Sequence, residues 1–272
     1  MVFNPSLNPG DILTNEDITN IFGCSGQGGM RRSHKTNTLV LISNHDKLNN
    51  PYNDRWIGNI FHYTGMGMEG DQSLDFNQNK TLSNSRSEID LGVFLFEVFE
   101  SKKYTYVGEV ELVDKPYQEK QKDLEGRDRR VWVFPLKLKN NSLPPPISKE
   151  TLDDLISKKE NYVKQLSDKE LLERAKDSIS TPGERLVTAR QYERNPYISE
   201  LAKRRANGIC QLCKKEAPFK NKNGEPYLET HHIKPLSKAG EDTIENTVAL
   251  CPNCHRRMHV LNDKEDIKTL LK

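Results

Sequence analysis

The 272-residue sequence predicts an α+β chain of two domains joined by a helical linker. Three observations carry that expectation. Short β-branched and aromatic runs fill residues 1–140, the step Pro144-Pro145-Pro146 interrupts them, and two Cys-x2-Cys pairs bracket a histidine-rich C-terminal segment. The length allows two modest hydrophobic cores. Hydrophobic residues make up 34% and charged residues 29%, and no run of eighteen apolar residues occurs, so a membrane-spanning helix is excluded. The start Met1-Val2-Phe3-Asn4-Pro5 lacks the basic and apolar regions of a secretory signal, and a cytoplasmic location is the expectation.

The N-terminal elements follow in order. Leu39–Ile42, Val93–Phe99, Tyr104–Val110 and Val131–Phe134 read as strands, because turn residues bound each run, and together they predict a mainly β region with a curved sheet or barrel. The three prolines form a stiff spacer. They place the boundaries at 1–140 for the first domain, 141–194 for the spacer and linker, and 195–272 for the second domain. Residues 148–178 read as helical, with Ser148 as a cap and Leu152, Leu155 and Ile156 at helical spacing. Leu166, Leu171 and Leu172 continue that pattern more loosely, and Thr181-Pro182-Gly183 ends it. A further helix over Pro196–Arg205 stops at Asn207-Gly208 and leads into the first cysteine pair.

Charge is unevenly placed. Residues 201–272 hold 14 Lys and Arg against 9 Asp and Glu, whereas the first 200 hold 27 against 30. A basic C-terminal module suits a polyanionic partner. Cys24 stands apart and reads as a small buried side chain. Cys210, Cys213, Cys251 and Cys254 have the spacing of a zinc site, each pair on a tight turn and the two pairs completing a tetrahedron. Four thiolates leave no open coordination position, so this Zn2+ is expected to be structural. Such a staple suits a small domain with few apolar residues.

Four of the seven histidines fall within residues 231–259. His255 and His259 are four apart on a helix expected to start near Pro252, so they share a face and can bind a divalent metal. His231 and His232 are adjacent. On a regular strand they would point to opposite faces, so either the strand ends there or only one of them reaches the site. A binding-only zinc module is the plain alternative for this cluster.

The run Tyr227–Leu236 containing Glu229-Thr230-His231-His232-Ile233, then Asn246, then Leu250-Cys251-Pro252-Asn253-Cys254-His255-x3-His259, resembles the HNH endonuclease family, as does the lead-in Arg204–Cys210. The resemblance implies two strands and a helix around one metal, the ββα-metal arrangement. It implies His232 as general base, His231, His255 and His259 as ligands of Mg2+, Mn2+ or another divalent ion, and Asn246 as a residue orienting the base or its loop. Arg256 and Arg257 lie beside that site and are candidates for holding phosphate. The chemistry suits these residue types: a neutral histidine can take a proton from water near pH 7, and a divalent cation can stabilise a pentacoordinate phosphate.

The first domain carries an unusual stretch, Tyr52–Gln72, dense in aromatics and glycines with a few carboxylates. A pocket for an extruded base needs these types: aromatics to stack it, glycines to let backbone approach, a carboxylate to accept from cytosine's amine. Gly28–Ser33, Tyr63–Gly67, Gly70-Asp71-Gln72, Asn79–Ser85, Tyr106-x-Gly108-x-Val110 and Val131–Phe134 resemble the SRA (SET and RING associated) domain in the form attached to prokaryotic HNH nucleases. Eukaryotic members carry Asp-His-Gly before the Tyr-x-Gly turn; this chain has Asp54-Arg55-Trp56 at a longer spacing. The resemblance implies Tyr52, Asp54, Trp56 and Tyr63 as pocket residues. It implies Arg31, Arg32, Lys80 and Asn84 as contacts to the DNA backbone or to the gap left by the base. Trp56 and Tyr63 are equally at home in a β core, and Asp54 in capping a turn.

Together these readings describe a modification-dependent (type IV) restriction endonuclease. Its partner would be double-stranded DNA carrying 5-methyl- or 5-hydroxymethylcytosine, recognised by base flipping. One active site per chain and two strands to cut imply a homodimer. The rivals are an HNH nuclease with a reader for another mark, such as phosphorothioate, or for unmodified sequence, and a DNA-binding regulator with an inactive nuclease fold.

Overall fold

The computed structural model describes residues 3–48, 50–176 and 182–271. The end of the helical reading at residues 177–178, Thr181 of the Thr181-Pro182-Gly183 stop, and Met1-Val2 lie outside the described residues. The chain forms two compact units, Met1–Ala189 and Arg190–Lys272.

The first unit runs β1 (Ile12–Leu13), α1 (Asn15–Phe22), β2 (Met30–Ser33), β3 (Thr38–Asn44), β4 (Arg55–Ile57), β5 (Ile60–Thr64), α2 (Gln78–Ser83), β6 (Gly92–Glu100), β7 (Lys103–Leu112), β8 (Tyr117–Lys122) and β9 (Asp128–Leu138). After these come β10 (Ile147–Ser148), α3 (Lys149–Val163), α4 (Asp168–Lys176) and β11 (Val187–Thr188). Among the described residues the strands build a nine-stranded sheet ordered β2-β3-β6-β7-β9-β5-β4, with β1 added to β7 and β8 added to β9. β3 and β6 are parallel and the other pairs in this sheet are antiparallel. The four strands expected from the sequence lie within β3, β6, β7 and β9.

β6 explains how one sheet carries two cores. Val93 and Leu95 enter the larger cluster with Leu39, Trp56, Phe61, Tyr63 and Phe134, while Phe94 and Phe96 face Ile18 and Phe22 of α1. Both faces are buried, so the sequence shows an unbroken apolar run rather than alternation. α1 itself is not among the elements expected from the sequence. Its signal is Thr14, whose hydroxyl accepts from the Asp17 amide while Asp17 accepts from the Thr14 amide, a reciprocal cap. β7 changes partner from β6 to β9 after Glu109, beside a register irregularity in the β6–β7 pair. Gly108 sits there at φ 145°, and a side chain would meet Leu138 at 2.6 Å.

The segment read as a separate linker packs onto this β unit instead. α3 buries Leu155 against Phe99 and Ile147, β10 pairs with β11, and the Glu184 amide donates to the Trp56 carbonyl at 2.9 Å. A buried ion pair completes the return. Arg185 donates to both oxygens of Glu97 at 2.8 and 2.7 Å, and His45 lies 2.8 Å from the same carboxylate. Burial alone would raise the Glu97 carboxyl, but the Arg185 and His45 hydrogen bonds bring it down to about 2. Because the folded value lies below the ordinary one, the stabilisation is complete at neutral pH and is lost as pH falls through about 2. Arg185→Ala leaves a buried carboxylate without its main partner and is expected to destabilise the first unit by about 3–5 kcal/mol. Urea unfolding at pH 7 measures this, and a change within error would show that the pair contributes nothing.

The second unit runs α5 (Pro196–Ala206), β12 (Glu229–His232), β13 (Thr247–Leu250), α6 (Pro252–Leu261) and α7 (Lys264–Leu270). Asn195 caps α5 through its side chain, Pro196 opens it, and Asn207 ends it in the left-handed conformation. β12 and β13 pair antiparallel, with His231 opposite Val248 and His232 opposite Thr247. α6 packs across both strands. The core is small: Ala206, Leu228, Ile233, Val248, Ala249, Leu250 and Met258, together with Cys210 and Cys251. No helix among the described residues is long and apolar enough to cross a membrane.

Candidate active site and reader cavity

The four cysteines of the second unit converge. Their sulfurs all lie within 4.8 Å of one another, close enough to hold one ion tetrahedrally. Cys210 and Cys213 sit on the turn after α5, Cys251 precedes α6 and Cys254 lies in its first turn. Burial opposes ionisation of Cys210, yet hydrogen bonds from backbone amides, including those of Cys251 and Cys213, bring its thiol down to about 7. Burial instead raises the thiols of Cys251 and Cys254, so those two sulfurs would ionise only with a cation bound between them.

A second cluster lines an 860 Å³ cavity in the same unit. His231, on β12, and His255 and His259, on α6, place one ring nitrogen each within 4.8 Å of the others. His255 Nε2 and His259 Nε2 stand 3.0 Å apart. Burial and the neighbouring histidines push His231 down to about 4, and burial also lowers His259, so both are neutral near pH 7 and able to ligate. Glu229, two residues before His231, places Oε2 2.5 Å from His255 Nδ1. An Nδ1–H bonded to a carboxylate leaves Nε2 as the free donor, the usual support behind a metal-bound imidazole. The donor set suits a divalent cation with open positions.

The strand ends at His232, and both adjacent histidines line the cavity. They have different partners. His231 faces the α6 histidines, whereas His232 Nε2 lies 2.8 Å from Asp242 Oδ1. Asp242 Oδ2 in turn accepts from the Asn195 amide at 2.6 Å, and that bond, followed by the one to His232, lowers its carboxyl. Asn246 closes the loop between the strands. Its side chain accepts from the Lys234 amide at 2.8 Å and donates to the Lys234 and Glu241 carbonyls at 3.0 and 2.7 Å. Inside that loop Gly240 comes so near Lys234 that a side chain would strike its carbonyl oxygen.

Arg256 is exposed beside His259, but Arg257 is held in an ion pair with Asp266 of α7 at 2.7 Å, which takes it away from the phosphate-holding role expected of it. Sequence reasoning missed Arg190 and Arg194, which line the cavity and form no ion pair among the described residues. It also missed Asp242 and the part played by Glu229. Glu229 stood inside the motif; Asp242 had no visible register with His232.

The first unit holds a separate 590 Å³ cavity. Tyr52 and Asp54 line it, with Asn53 and Gln121 beside them and Lys120 and Lys159 also on the wall. Asp54 Oδ1 accepts from the Thr64 amide at 2.7 Å, and burial raises its carboxyl despite that bond. The Arg129 guanidinium lies 5.7 Å from the Tyr52 ring centre and donates to the Pro51 carbonyl at 2.8 Å, fixing the ring's support.

The other expected pocket aromatics are elsewhere. Trp56 is 2% exposed in the main core, and Tyr63 is 3% exposed there, its hydroxyl donating to the Gly29 carbonyl at 2.8 Å. Trp56 lies within β4 opposite Phe61 of β5, the two rings tilted with centres 4.9 Å apart, whereas Asp54 precedes β4 and is turned to the Thr64 amide. Arg31 is buried too, donating to Gly28 and Asn15, and Arg32 donates to Ser33, Thr38 and Asn37. These two arginines hold the β2–β3 corner together rather than facing DNA. Lys80 and Asn84 are exposed on and after α2. His45, given no partner in the sequence, lines the cavity and ties it to Glu97.

Comparison with known proteins gives the class. A family described as ScoMcrA-like, SRA domain matches residues 9–159, more than half of the chain, and the HNH endonuclease family matches residues 210–260. The chain therefore belongs to the ScoMcrA-like SRA domain family and carries an HNH endonuclease domain towards its C-terminal end. The type IV methyl-directed restriction enzyme EcoKMcrA of Escherichia coli (strain K12) is 45% identical over 80 residues, which is 29% of this chain and 29% of that protein. The chain thus matches under a third of that curated relative. Among solved structures, the type IV phosphorothioation-dependent restriction endonuclease ScoMcrA is 19% identical with a TM-score of 0.39, covering 97% of this chain and 62% of the other. The modification-dependent TagI restriction endonuclease is 19% identical with a TM-score of 0.35, covering 94% of this chain and 79% of the other.

Proposed function

We propose that this chain is a modification-dependent DNA endonuclease that recognises 5-methyl- or 5-hydroxymethylcytosine in duplex DNA and hydrolyses a phosphodiester bond at its HNH site. The observation that carries the nuclease reading is the three-histidine cluster opening on the same cavity as His232. His231, His255 and His259 hold a divalent cation such as Mg2+ or Mn2+, and the four cysteines hold Zn2+. When bound, the divalent cation supplies Lewis-acid stabilisation of charge on the phosphate and leaving oxygen. His232 takes the proton of the attacking water. Asn246 keeps the His232 loop closed. Arg190, Arg194 and Arg256 take the phosphates flanking the cut.

The reader is the 590 Å³ cavity. A flipped cytosine would stack on Tyr52 and donate its exocyclic amine to Asp54, whose position is fixed by the Thr64 amide. Lys80 and Asn84, exposed on and after α2, meet the DNA backbone. Cutting both strands with one site per chain calls for two chains, so a homodimer assembles on the substrate, acting in the cytoplasm on modified foreign DNA.

A digest of matched plasmids tests this. Plasmids carrying 5-methylcytosine, 5-hydroxymethylcytosine, phosphorothioate links or no modification are incubated with the zinc-loaded chain and Mg2+ or Mn2+. Cutting confined to the cytosine-modified plasmids is the expected result. Equal cutting of all four overturns the reader, cutting of the phosphorothioate plasmid alone replaces the mark, and no cutting with DNA binding retained makes the chain a regulator.

A further inference from the structure

The pair His232–Asp242 has a consequence for the reaction beyond holding a loop. We propose that Asp242 is a positioning residue that fixes the tautomer of His232, so that Nδ1 is the nitrogen presented to water. This rests on the reading of His232 as the base.

A neutral imidazole carries one N–H and one lone pair. An ionised carboxylate can only accept, so the nitrogen 2.8 Å from Asp242 Oδ1, Nε2, must carry the hydrogen. Nδ1 then holds the lone pair. No described residue hydrogen-bonds Nδ1, and the ring lines the 860 Å³ cavity, so this nitrogen is the one left for a water molecule. Asp242 is itself fixed. Its other oxygen accepts from the Asn195 amide at the N-cap of α5, so the carboxylate is pinned at both ends and the ring cannot turn without breaking a bond. The arrangement differs from that at His255. There the carboxylate of Glu229 meets Nδ1 and frees Nε2 for a cation, whereas at His232 the carboxylate meets Nε2 and frees Nδ1 for a proton. Two carboxylates thus give two histidines opposite tautomers within one site.

The substitution Asp242→Asn separates this role from a structural one. An asparagine oxygen can still accept from the Asn195 amide, which keeps the N-cap residue of α5 in place. Its NH2 group then faces His232 Nε2, which must accept, and the ring hydrogen moves to Nδ1. The wrong nitrogen is now protonated, as when the aspartate of a serine-protease triad is replaced by asparagine, so a loss of roughly 10²–10⁴-fold in kcat is expected. KM for the modified plasmid and the bound metal content should stay at the wild-type values, and Asp242→Glu should recover part of kcat.

The tautomer is read directly by nitrogen-15 NMR of the histidine rings in the zinc-loaded full chain. Wild type should show His232 as the Nε2–H form and Asp242→Asn the Nδ1–H form. A wild-type His232 in the Nδ1–H form overturns the proposal without any variant, as does an Asp242→Asn chain that cuts at the wild-type rate. A wild type that cuts no DNA while showing Nε2–H at His232 removes the nuclease reading and leaves the positioning intact.

Discussion

Removing zinc from the intact chain with a chelator is expected to unfold the second unit and leave the first folded. The two units have separate cores. Cys210 and Cys251 belong to the second core and Cys254 packs against it; the core otherwise contains a handful of side chains from α5, β13, α6 and the residues flanking β12. A structural four-thiolate zinc contributes on the order of 10–16 kcal/mol at neutral pH, comparable to or above the whole stability of an ordinary domain. Without the ion, four sulfurs crowded within 4.8 Å have nothing to hold them there. Hydrogen exchange should lose protection over 196–261 while β3, β6, β7 and β9 keep theirs, and Cys254→Ser should reproduce much of the effect. Full protection of β12 and α6 after quantitative zinc removal would show that the site does not hold the fold.

The second large effect separates the adjacent histidines. His255→Ala should abolish both divalent-metal binding and cleavage, because α6 then offers one ligand in place of two. His232→Ala should reduce cleavage by roughly 10²–10⁴-fold while Mn2+ still binds. Calorimetric titration of Mn2+ into each zinc-loaded variant, beside its cleavage rate, checks the distinction. Loss of Mn2+ binding in His232→Ala would make that residue a ligand and move the base elsewhere.

Much of the second unit is legible in the amino-acid sequence alone. The cysteine pairs and the Glu229–Ile233 motif are local signals, because ligand spacing on tight turns and a helix beginning at Pro252 fix geometry over a few residues. In the first unit, β3, β6, β7 and β9 declare themselves by composition. What stays hidden depends on contacts distant in sequence. Arg185 reaches Glu97 across 88 positions, and this pairing makes the stretch after α4 part of the β unit rather than a free linker. Trp56 and Tyr63 share their chemistry with stacking residues. Only the fold places Asp54, just before β4, at the cavity and Trp56, paired with Phe61 inside it, in the core. Arg31 and Arg32 carry the charge of DNA contacts, yet backbone carbonyls at a sheet corner consume their donors.

The Asn246 clamp bears on how such a sequence can change over generations. Three hydrogen bonds join its side chain to Lys234 and Glu241, and Gly240 packs against the Lys234 carbonyl with no space for a side chain. One residue gained or lost between Lys234 and Asn246 would open the clamp and shift Asp242 off His232. The turn at Asn221–Glu225, exposed and held by its own local bonds, has no such tie to the cavity. Related enzymes that share this clamp should therefore hold the spacing from Lys234 to Asn246 constant while the turn before β12 drifts freely in length.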